Sequence, residues 1–161
     1  MDGVDFLIRQ KIADPSRLGI GGWSYGGFMT SWTITQTDRF KAAVVGAAVT
    51  DLYGMSTTTD IAPSYLNEFF GNFVTNRKMY DEHSPMRYIE RCHTPSLVLH
   101  GDADERVPTF QGEEFYKGLR MLDRETELVR YSREPHIFAE REHQIDSMQR
   151  IVDWYDSHLG K

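Results

Sequence analysis

Two unbroken apolar runs of strand length constrain the fold of this chain more than any other feature of its sequence. Residues 41–50 read KAAVVGAAVT, and residues 95–101 read PSLVLHG. Strands without alternation of apolar and polar residues are typical of sheets that are covered on both faces. Two further strands are predicted at 17–22 (RLGIGG) and 126–132 (TELVRYS).

Helical patterns separate these strands and flank them. Helices are predicted at residues 1–12, from about 26 to 37, at 111–122 and at 142–160, whereas residues 51–94 form a polar middle region with scattered aromatic residues. The residues predicted to face the core are Phe115, Leu119 and Leu122 in the third helix and Ile145, Met148, Ile151, Val152, Tyr155 and Leu159 in the last. Strands that alternate with helices predict an α/β fold with a parallel sheet and right-handed crossovers.

Composition excludes several classes of partner. The chain has 161 residues, a length suited to one domain, and a formal net charge of -6, which disfavours nucleic acid and anionic membranes. It has one cysteine, Cys92, so an internal disulfide is excluded and a reducing, cytoplasmic location is favoured. No apolar run has the length of a membrane span, and no metal cluster or phosphate-binding loop is recognisable, so we expect no cofactor.

A glycine-rich stretch surrounds a single serine after the first strand. Residues 22–26 read GWSYG, which matches G-x-S-x-G with a strand before it and a helix after it. In such an elbow the Ser24 hydroxyl points out of the sheet, and side chains at Gly22 or Gly26 are expected to collide with neighbouring backbone. The Tyr25 N–H would then face an oxyanion formed on Ser24. The alternative is a simple glycine-rich turn with an exposed serine.

A serine nucleophile needs a histidine base and an acid, which this architecture places in the order Ser, acid, His after successive strands. The third strand is followed by three acids, Asp102, Asp104 and Glu105, and the fourth strand is followed by His136. Residue types and chain order therefore predict a triad, but the pattern alone leaves Asp102 and Asp104 both open.

The remaining histidines fit the role of base less well. His143 falls on the last helix and is interpreted as structural or surface-exposed. His100 lies inside a strand, and His83 precedes Ser84 in a loop.

Four segments of the chain resemble those of a known family. The segments DPSRLGIGGWSYGGFMTSW, TPSLVLHGDADERVP, REPH and IVDWYDSHL are similar to the catalytic domain of the prolyl oligopeptidase family, in its acylaminoacyl-peptidase and dipeptidyl-peptidase branch. The resemblance implies an α/β-hydrolase that cleaves short peptides. It also implies that Asp104 is the acid, because the family's aspartate lies three positions before the residue that is Val107 here.

The resemblance implies a substrate site as well. Arg106 matches an arginine that binds a substrate carbonyl in some members, although a surface charge or a salt bridge is an equal alternative. The apolar pocket for the residue before the scissile bond is implied at Val49, Leu52 and Val107, with Tyr65 and Phe69 as further candidates.

The chain departs from the family pattern in two ways. Ile137 follows His136 where the family usually has glycine, so a positive φ there would strain the backbone. The resemblance also covers only the C-terminal half of the catalytic domain, about four strands of eight, and the second oxyanion donor belongs to the other half. The first strand would then be a sheet edge, and we expect residues 17–22 to self-associate or to pair with a missing N-terminal portion.

These observations predict a serine hydrolase that acts on short peptides through Ser24, His136 and Asp104. A carboxylesterase that acts on acyl esters with the same triad is the alternative enzyme. A catalytically incomplete fragment of a longer peptidase is the alternative from another class.

Overall fold

The computed structural model describes residues 1–61 and 64–160, and within them four parallel strands form one sheet. The strands lie in chain order across the sheet and are β1 (Gly19–Trp23), β2 (Ala42–Gly46), β3 (Ser96–Gly101) and β4 (Thr126–Tyr131). The predicted α/β class and the parallel sheet are confirmed. Because all four strands run the same way, the loops that follow them lie together at the carboxyl end of the sheet.

Seven α-helices and one 3₁₀ helix accompany the sheet in the described residues. They are α1 (Asp2–Arg9), α2 (Tyr25–Ile34), α3 (Leu52–Thr58), α4 (Ser64–Phe70), α5 (Arg77–Glu82), the 3₁₀ segment Pro85–Arg91, α6 (Phe110–Met121) and α7 (Arg141–Leu159). The four predicted helices correspond to α1, α2, α6 and α7. The short helices of the middle region were not predicted from the sequence. One of them, α3, is capped by the preceding residue Asp51, whose carboxylate accepts hydrogen bonds from the N–H groups of Tyr53 and Gly54.

Successive residues of the central strands enter two separate apolar clusters, one on each face of the sheet. Val45 and Val98 pack with residues of α2 and α6, such as Ile34 and Phe115. On the other face, Val44, Leu97 and Leu99 pack with Tyr131, Phe138 and three residues of α7, namely Ile151, Trp154 and Tyr155. Burying each large apolar side chain contributes about 1.5–3 kcal/mol. This double coverage explains the unbroken apolar runs.

Part of the predicted inward stripe of the last helix is wrong. Ile145, Met148 and Val152 are 56%, 67% and 52% exposed. The helix contacts the sheet through the side that carries Ile151 and Tyr155, and the three exposed residues lie on the adjacent side. Leu122 is also exposed, because α6 ends at Met121 and Leu122 lies beyond the face that packs.

The first strand forms one edge of the sheet in the described residues, as expected, and it pairs with β2 from Gly19 against Ala42 to Trp23 against Gly46. Tyr155 of α7 covers part of β1 and donates a hydrogen bond from its hydroxyl to the Ile20 carbonyl (2.9 Å). Self-association through residues 17–22 stays a prediction.

A buried polar network fixes the chain where it leaves β2. The Gln111 side chain, fully buried, accepts hydrogen bonds from the N–H groups of Thr50 (2.6 Å) and Asp51 (2.8 Å) and donates to the Asp51 carbonyl (2.8 Å). The Thr50 hydroxyl donates to the Gln111 carbonyl (2.7 Å) and lies 3.1 Å from Glu114 Oε1. Burial and the nearby Asp51 charge raise the pKa of Glu114 to about 7, although the Thr50 contact partly opposes them.

We expect this carboxyl to make stability depend on pH. The pKa of Glu114 rises from 4.5 to about 7 on folding, so the folded state binds the proton more tightly and loses stability as pH rises through this window. Glu114→Gln removes that loss. The free energy of unfolding of the variant, relative to that of wild type, should therefore rise by about 1 kcal/mol from about pH 5 to about pH 8, a modest value because the carboxyl is partly solvated. Urea unfolding at both pH values measures the difference, and an equal stability difference at the two values would contradict it.

Candidate active site

Ser24 lies at a strained turn between β1 and α2. Its backbone has φ 60° and ψ -119°, a conformation that residues other than glycine rarely adopt. Two hydrogen bonds hold the turn, from Ser24 N–H to the Gly46 carbonyl and from Phe28 N–H to the Ser24 carbonyl, each 2.9 Å. The turn therefore joins the end of a strand directly to the first turn of a helix, as the GWSYG motif predicts.

The glycines of this turn differ in why they are needed. A Cβ on Gly22 would lie 2.5 Å from the Gly26 carbonyl carbon, so no side chain fits there. Gly26 was predicted to be constrained in the same way, and this is wrong, because a Cβ on Gly26 would point into open space. The second constrained glycine is instead Gly27, which packs against the Gly46 carbonyl and would place a Cβ 2.8 Å from that of Ala48.

The structure brings three of the predicted residues into one hydrogen-bonded chain. Ser24 Oγ lies 2.8 Å from His136 Nε2, and His136 Nδ1 lies 2.8 Å from Asp104 Oδ2. A carboxylate only accepts hydrogen bonds, so Nδ1 carries the hydrogen and Nε2 is free to accept the hydroxyl proton of Ser24. Each residue comes from the loop after a different strand: β1, β3 and β4.

Asp104 is held by the loop in which it lies. Its side chain is fully buried, and Oδ1 accepts hydrogen bonds from the N–H groups of Arg106 (3.0 Å) and Val107 (2.9 Å). Burial raises the pKa of the Asp104 carboxyl, but the rings of His100 and His136 and the Val107 N–H outweigh burial and hold the pKa well below its usual range. Asp104 is therefore ionised at neutral pH.

The other two acids of this loop point elsewhere. Asp102 forms an ion pair with Arg130 (Nε to Oδ1, 2.7 Å), and Glu105 is exposed. Of the two aspartates that the pattern left open, Asp104 is the one that contacts His136.

The loop that carries His136 has supports that the sequence did not reveal. Trp23 Nε1 donates to the His136 carbonyl (2.8 Å). Glu134, fully buried, accepts hydrogen bonds from the N–H groups of Ala139 (2.6 Å) and Glu140 (2.9 Å) and from His143 Nδ1 (2.7 Å). His143 thus pairs with Glu134 and not with Ser24. The sequence offers one signal for this support, namely that an acid, Glu134, lies two residues before the candidate base His136.

The strain considered at Ile137 is absent. Ile137 does not adopt a positive φ, so a side chain fits this position without backbone cost. Its side chain is 69% exposed and borders the cavity beside His136.

A cavity of about 950 Å³ opens beside the Ser24 hydroxyl and His136. All five predicted substrate-site residues line it: Val49, Leu52, Tyr65, Arg106 and Val107. Phe69, named as a candidate together with Tyr65, lines it too. The lining residues that the sequence did not single out are mostly apolar and include Phe28, Met55, Ile61, Leu66, Phe70 and His83. Several of these lie on α3 and α4, so the middle region, which the sequence presents as polar, contributes apolar side chains to the cavity lining.

Arg106 makes the salt bridge that was one of the two interpretations of its charge, while its binding of a substrate carbonyl stays a prediction. It lines the cavity, and its guanidinium forms a two-point ion pair with Asp60, with Nε 2.6 Å from Oδ1 and Nη2 3.3 Å from Oδ2. The same segment is tied by the Thr59 hydroxyl, which donates to the Arg106 carbonyl (2.7 Å). The guanidinium is therefore held at the cavity wall with donors left over.

Within the described residues, none of the helices has the length and apolar composition that a membrane crossing requires.

A parallel sheet with a strained serine after one strand and a contacting histidine and aspartate after two others is the architecture of an α/β-hydrolase. The sequence matches the prolyl oligopeptidase family over residues 1–161, and the chain belongs to this family of serine peptidases. It is 36% identical over 165 residues to the uncharacterized peptidase YuxL of Bacillus subtilis, a match that covers 99% of this chain and 25% of YuxL. It is 30% identical to the acylamino-acid-releasing enzyme of Mus musculus, over 98% of this chain and 22% of that enzyme.

Among solved structures, a puromycin-hydrolyzing peptidase of Mycobacterium tuberculosis superposes with a TM-score of 0.93 at 33% identity. The match covers 98% of this chain and 24% of that one. The chain thus spans about a quarter of the length of the relatives that it matches.

Proposed function

We propose that this protein is a serine peptidase that hydrolyses short peptides through an acyl-enzyme intermediate, with Ser24 as nucleophile, His136 as base and Asp104 as the acid that orients it. One observation carries the proposal: the continuous hydrogen-bonded chain from Ser24 Oγ through the imidazole to Asp104, with both contacts at 2.8 Å. In this proposal residues 1–161 are the C-terminal portion of a single catalytic domain.

In the first step, His136 Nε2 takes the hydroxyl proton while Ser24 Oγ forms a bond to the substrate carbonyl carbon and the carbonyl oxygen becomes an oxyanion. As the tetrahedral species collapses, the C–N bond breaks and Nε2 gives its proton to the leaving amine. A water then loses a proton to Nε2 and attacks the acyl carbon, and Oγ leaves with that proton. Asp104 remains ionised throughout and stabilises the imidazolium.

Tyr25 is proposed to stabilise the oxyanion through its backbone N–H. It is the first residue of α2, and the first N–H groups of a helix have no acceptor within the helix. They also lie at the positive end of the helix dipole, which favours developing negative charge. That a second hydrogen-bond donor to the oxyanion comes from outside residues 1–161 stays a prediction.

The cavity supports an apolar side chain before the scissile bond. Val49, Leu52 and Val107 offer apolar surface, and Tyr65 borders the opening. Arg106 is proposed to bind a substrate carbonyl with the donors that Asp60 leaves unused. A cytoplasmic location, favoured by the single cysteine, belongs to the same proposal.

A carboxylesterase is the second candidate, since the same triad and an apolar cavity also suit an acyl ester. The full-length protein should be assayed with N-acyl-aminoacyl and aminoacyl anilides and, in parallel, with p-nitrophenyl acyl esters. We expect turnover of the anilides, with hydrophobic residues preferred. Turnover of the esters alone would identify a carboxylesterase, and turnover of neither would contradict the proposed function.

A further inference from the structure

His100 is a fully buried histidine that the proposed mechanism does not use. It lies near the end of β3, and its Nε2 is 2.7 Å from the Val107 carbonyl oxygen. A carbonyl only accepts hydrogen bonds, so Nε2 carries a hydrogen and donates it. The other ring nitrogen, Nδ1, is buried and has no hydrogen-bond partner in the described part of the chain. The hydrogen bond from Nε2 to the carbonyl therefore assigns the tautomer.

The same Nε2 lies 3.6 Å from Asp104 Oδ2, the oxygen that His136 contacts. This distance is too long for a hydrogen bond, but it places a polarised N–H beside the buried carboxylate. Asp104 Oδ2 therefore has the His136 imidazole in hydrogen-bond contact and the His100 imidazole just beyond hydrogen-bond distance.

Val107 connects the two. Its N–H donates to Asp104 Oδ1 (2.9 Å), and its carbonyl accepts from His100 (2.7 Å). The His100 ring is anchored in a central strand, so it fixes the segment whose N–H groups orient the carboxylate. Val107 is also 2% exposed, and its side chain lines the cavity.

The neighbouring helix leaves room for this ring. Gly112 of α6 faces it, and a Cβ at this position would lie 2.6 Å from His100 Nδ1. A side chain there has to displace the ring or the helix. Gly112 thus offers a second way to move His100 without changing any group that contacts it by a hydrogen bond.

We propose that His100 is a positioning residue that holds the loop of residues 101–107, through the Val107 carbonyl, in the form that presents Asp104 to His136. The inference rests on the proposed function. It concerns a residue that contacts neither substrate nor the reacting atoms, and it acts by geometry. An N–H donor at this place, rather than the imidazole itself, is what the loop requires.

The test compares His100→Leu, which removes the donor, with His100→Gln, whose amide N–H can reach the place of Nε2. In the full-length protein we expect His100→Leu to lower kcat by about 10²-fold, because misplacing a catalytic group by about 1 Å has an effect of this size. KM should change little, because the apolar wall remains, and His100→Gln should restore most of kcat. A merely structural role would change the unfolding temperature without this split between kcat and KM.

Thr94→Val is the matched control, since Thr94 is buried and donates to the Phe40 carbonyl (3.3 Å) just before β3 begins, at the end of the strand away from His100. It should leave kcat unchanged. Folded His100→Leu with wild-type kcat would overturn the inference. If His100→Leu does not fold, Gly112→Ala takes its place: lowered kcat with KM retained supports the inference, and wild-type kcat overturns it.

Ser24→Ala, assayed in parallel, separates this inference from the proposed function. If Ser24→Ala is inactive and His100→Leu is fully active, only the inference fails. If Ser24→Ala keeps its activity, the proposed function itself fails.

Discussion

Replacing Ser24 with alanine is expected to lower kcat for a peptide anilide by about 10⁶-fold, since serine and histidine of a triad act as one unit. Alanine removes the hydroxyl that lies 2.8 Å from His136 Nε2 and changes nothing else in the turn. Steady-state kinetics with the anilide measures the loss, and KM or substrate binding should change little because the cavity is intact.

The control for this variant is Ser16→Ala, which removes an exposed hydroxyl that bonds to Asp14 in the turn before β1. It should keep full activity. Comparable activity in Ser24→Ala and wild type would contradict the proposed nucleophile.

Asp104→Asn is expected to lower kcat by about 10⁴-fold while leaving the fold intact, as for other triads that lose their carboxylate. The amide can turn an N–H toward His136 Nδ1, and the ring then has its hydrogen on Nε2 and can no longer accept the Ser24 proton. The amide also cannot stabilise the imidazolium by its charge. The pH-independent part of the kcat profile measures the effect.

Asp102→Asn is the matched control, two residues away in the same loop. Asp102 pairs with Arg130 and not with His136, so the expected loss is small. Equal losses in the two variants, or a larger loss at Asp102, would show that the acid has been misassigned.

The sheet and the triad could be predicted because each depends on short-range pattern and strand direction. Residues 41–50 and 95–101 are apolar on both faces, which is what a central parallel strand needs. Once the strands are parallel, the residues that follow them meet at one end of the sheet, which brings Ser24, His136 and the acids after β3 together. The choice of Asp104 over Asp102 came from the family resemblance and not from this pattern. The need for glycine at position 22 could be predicted from the turn between strand and helix, because a side chain there would collide with the helix backbone.

Other features depend on packing that the sequence does not encode locally. The helices α3, α4 and α5 are short, and isolated helices of such length are not stable without tertiary contacts. The apolar pattern of α7 shows which residues are hydrophobic but not how wide a face the sheet covers, so Ile145 and Met148 were placed inward although they are exposed. The sequence gives no sign of the role proposed for His100, because its partner, Val107, is brought back to it only by the fold of the loop.

The most direct test of the proposed site is covalent labelling with a fluorophosphonate, which reacts only with an activated serine. After proteolysis, mass spectrometry should find the phosphonyl group on Ser24, and labelling should be lost in His136→Ala but retained in His143→Ala, since His143 pairs with Glu134 instead. Labelling at another residue, or equal labelling in His136→Ala and wild type, would contradict a Ser24 hydroxyl activated by His136.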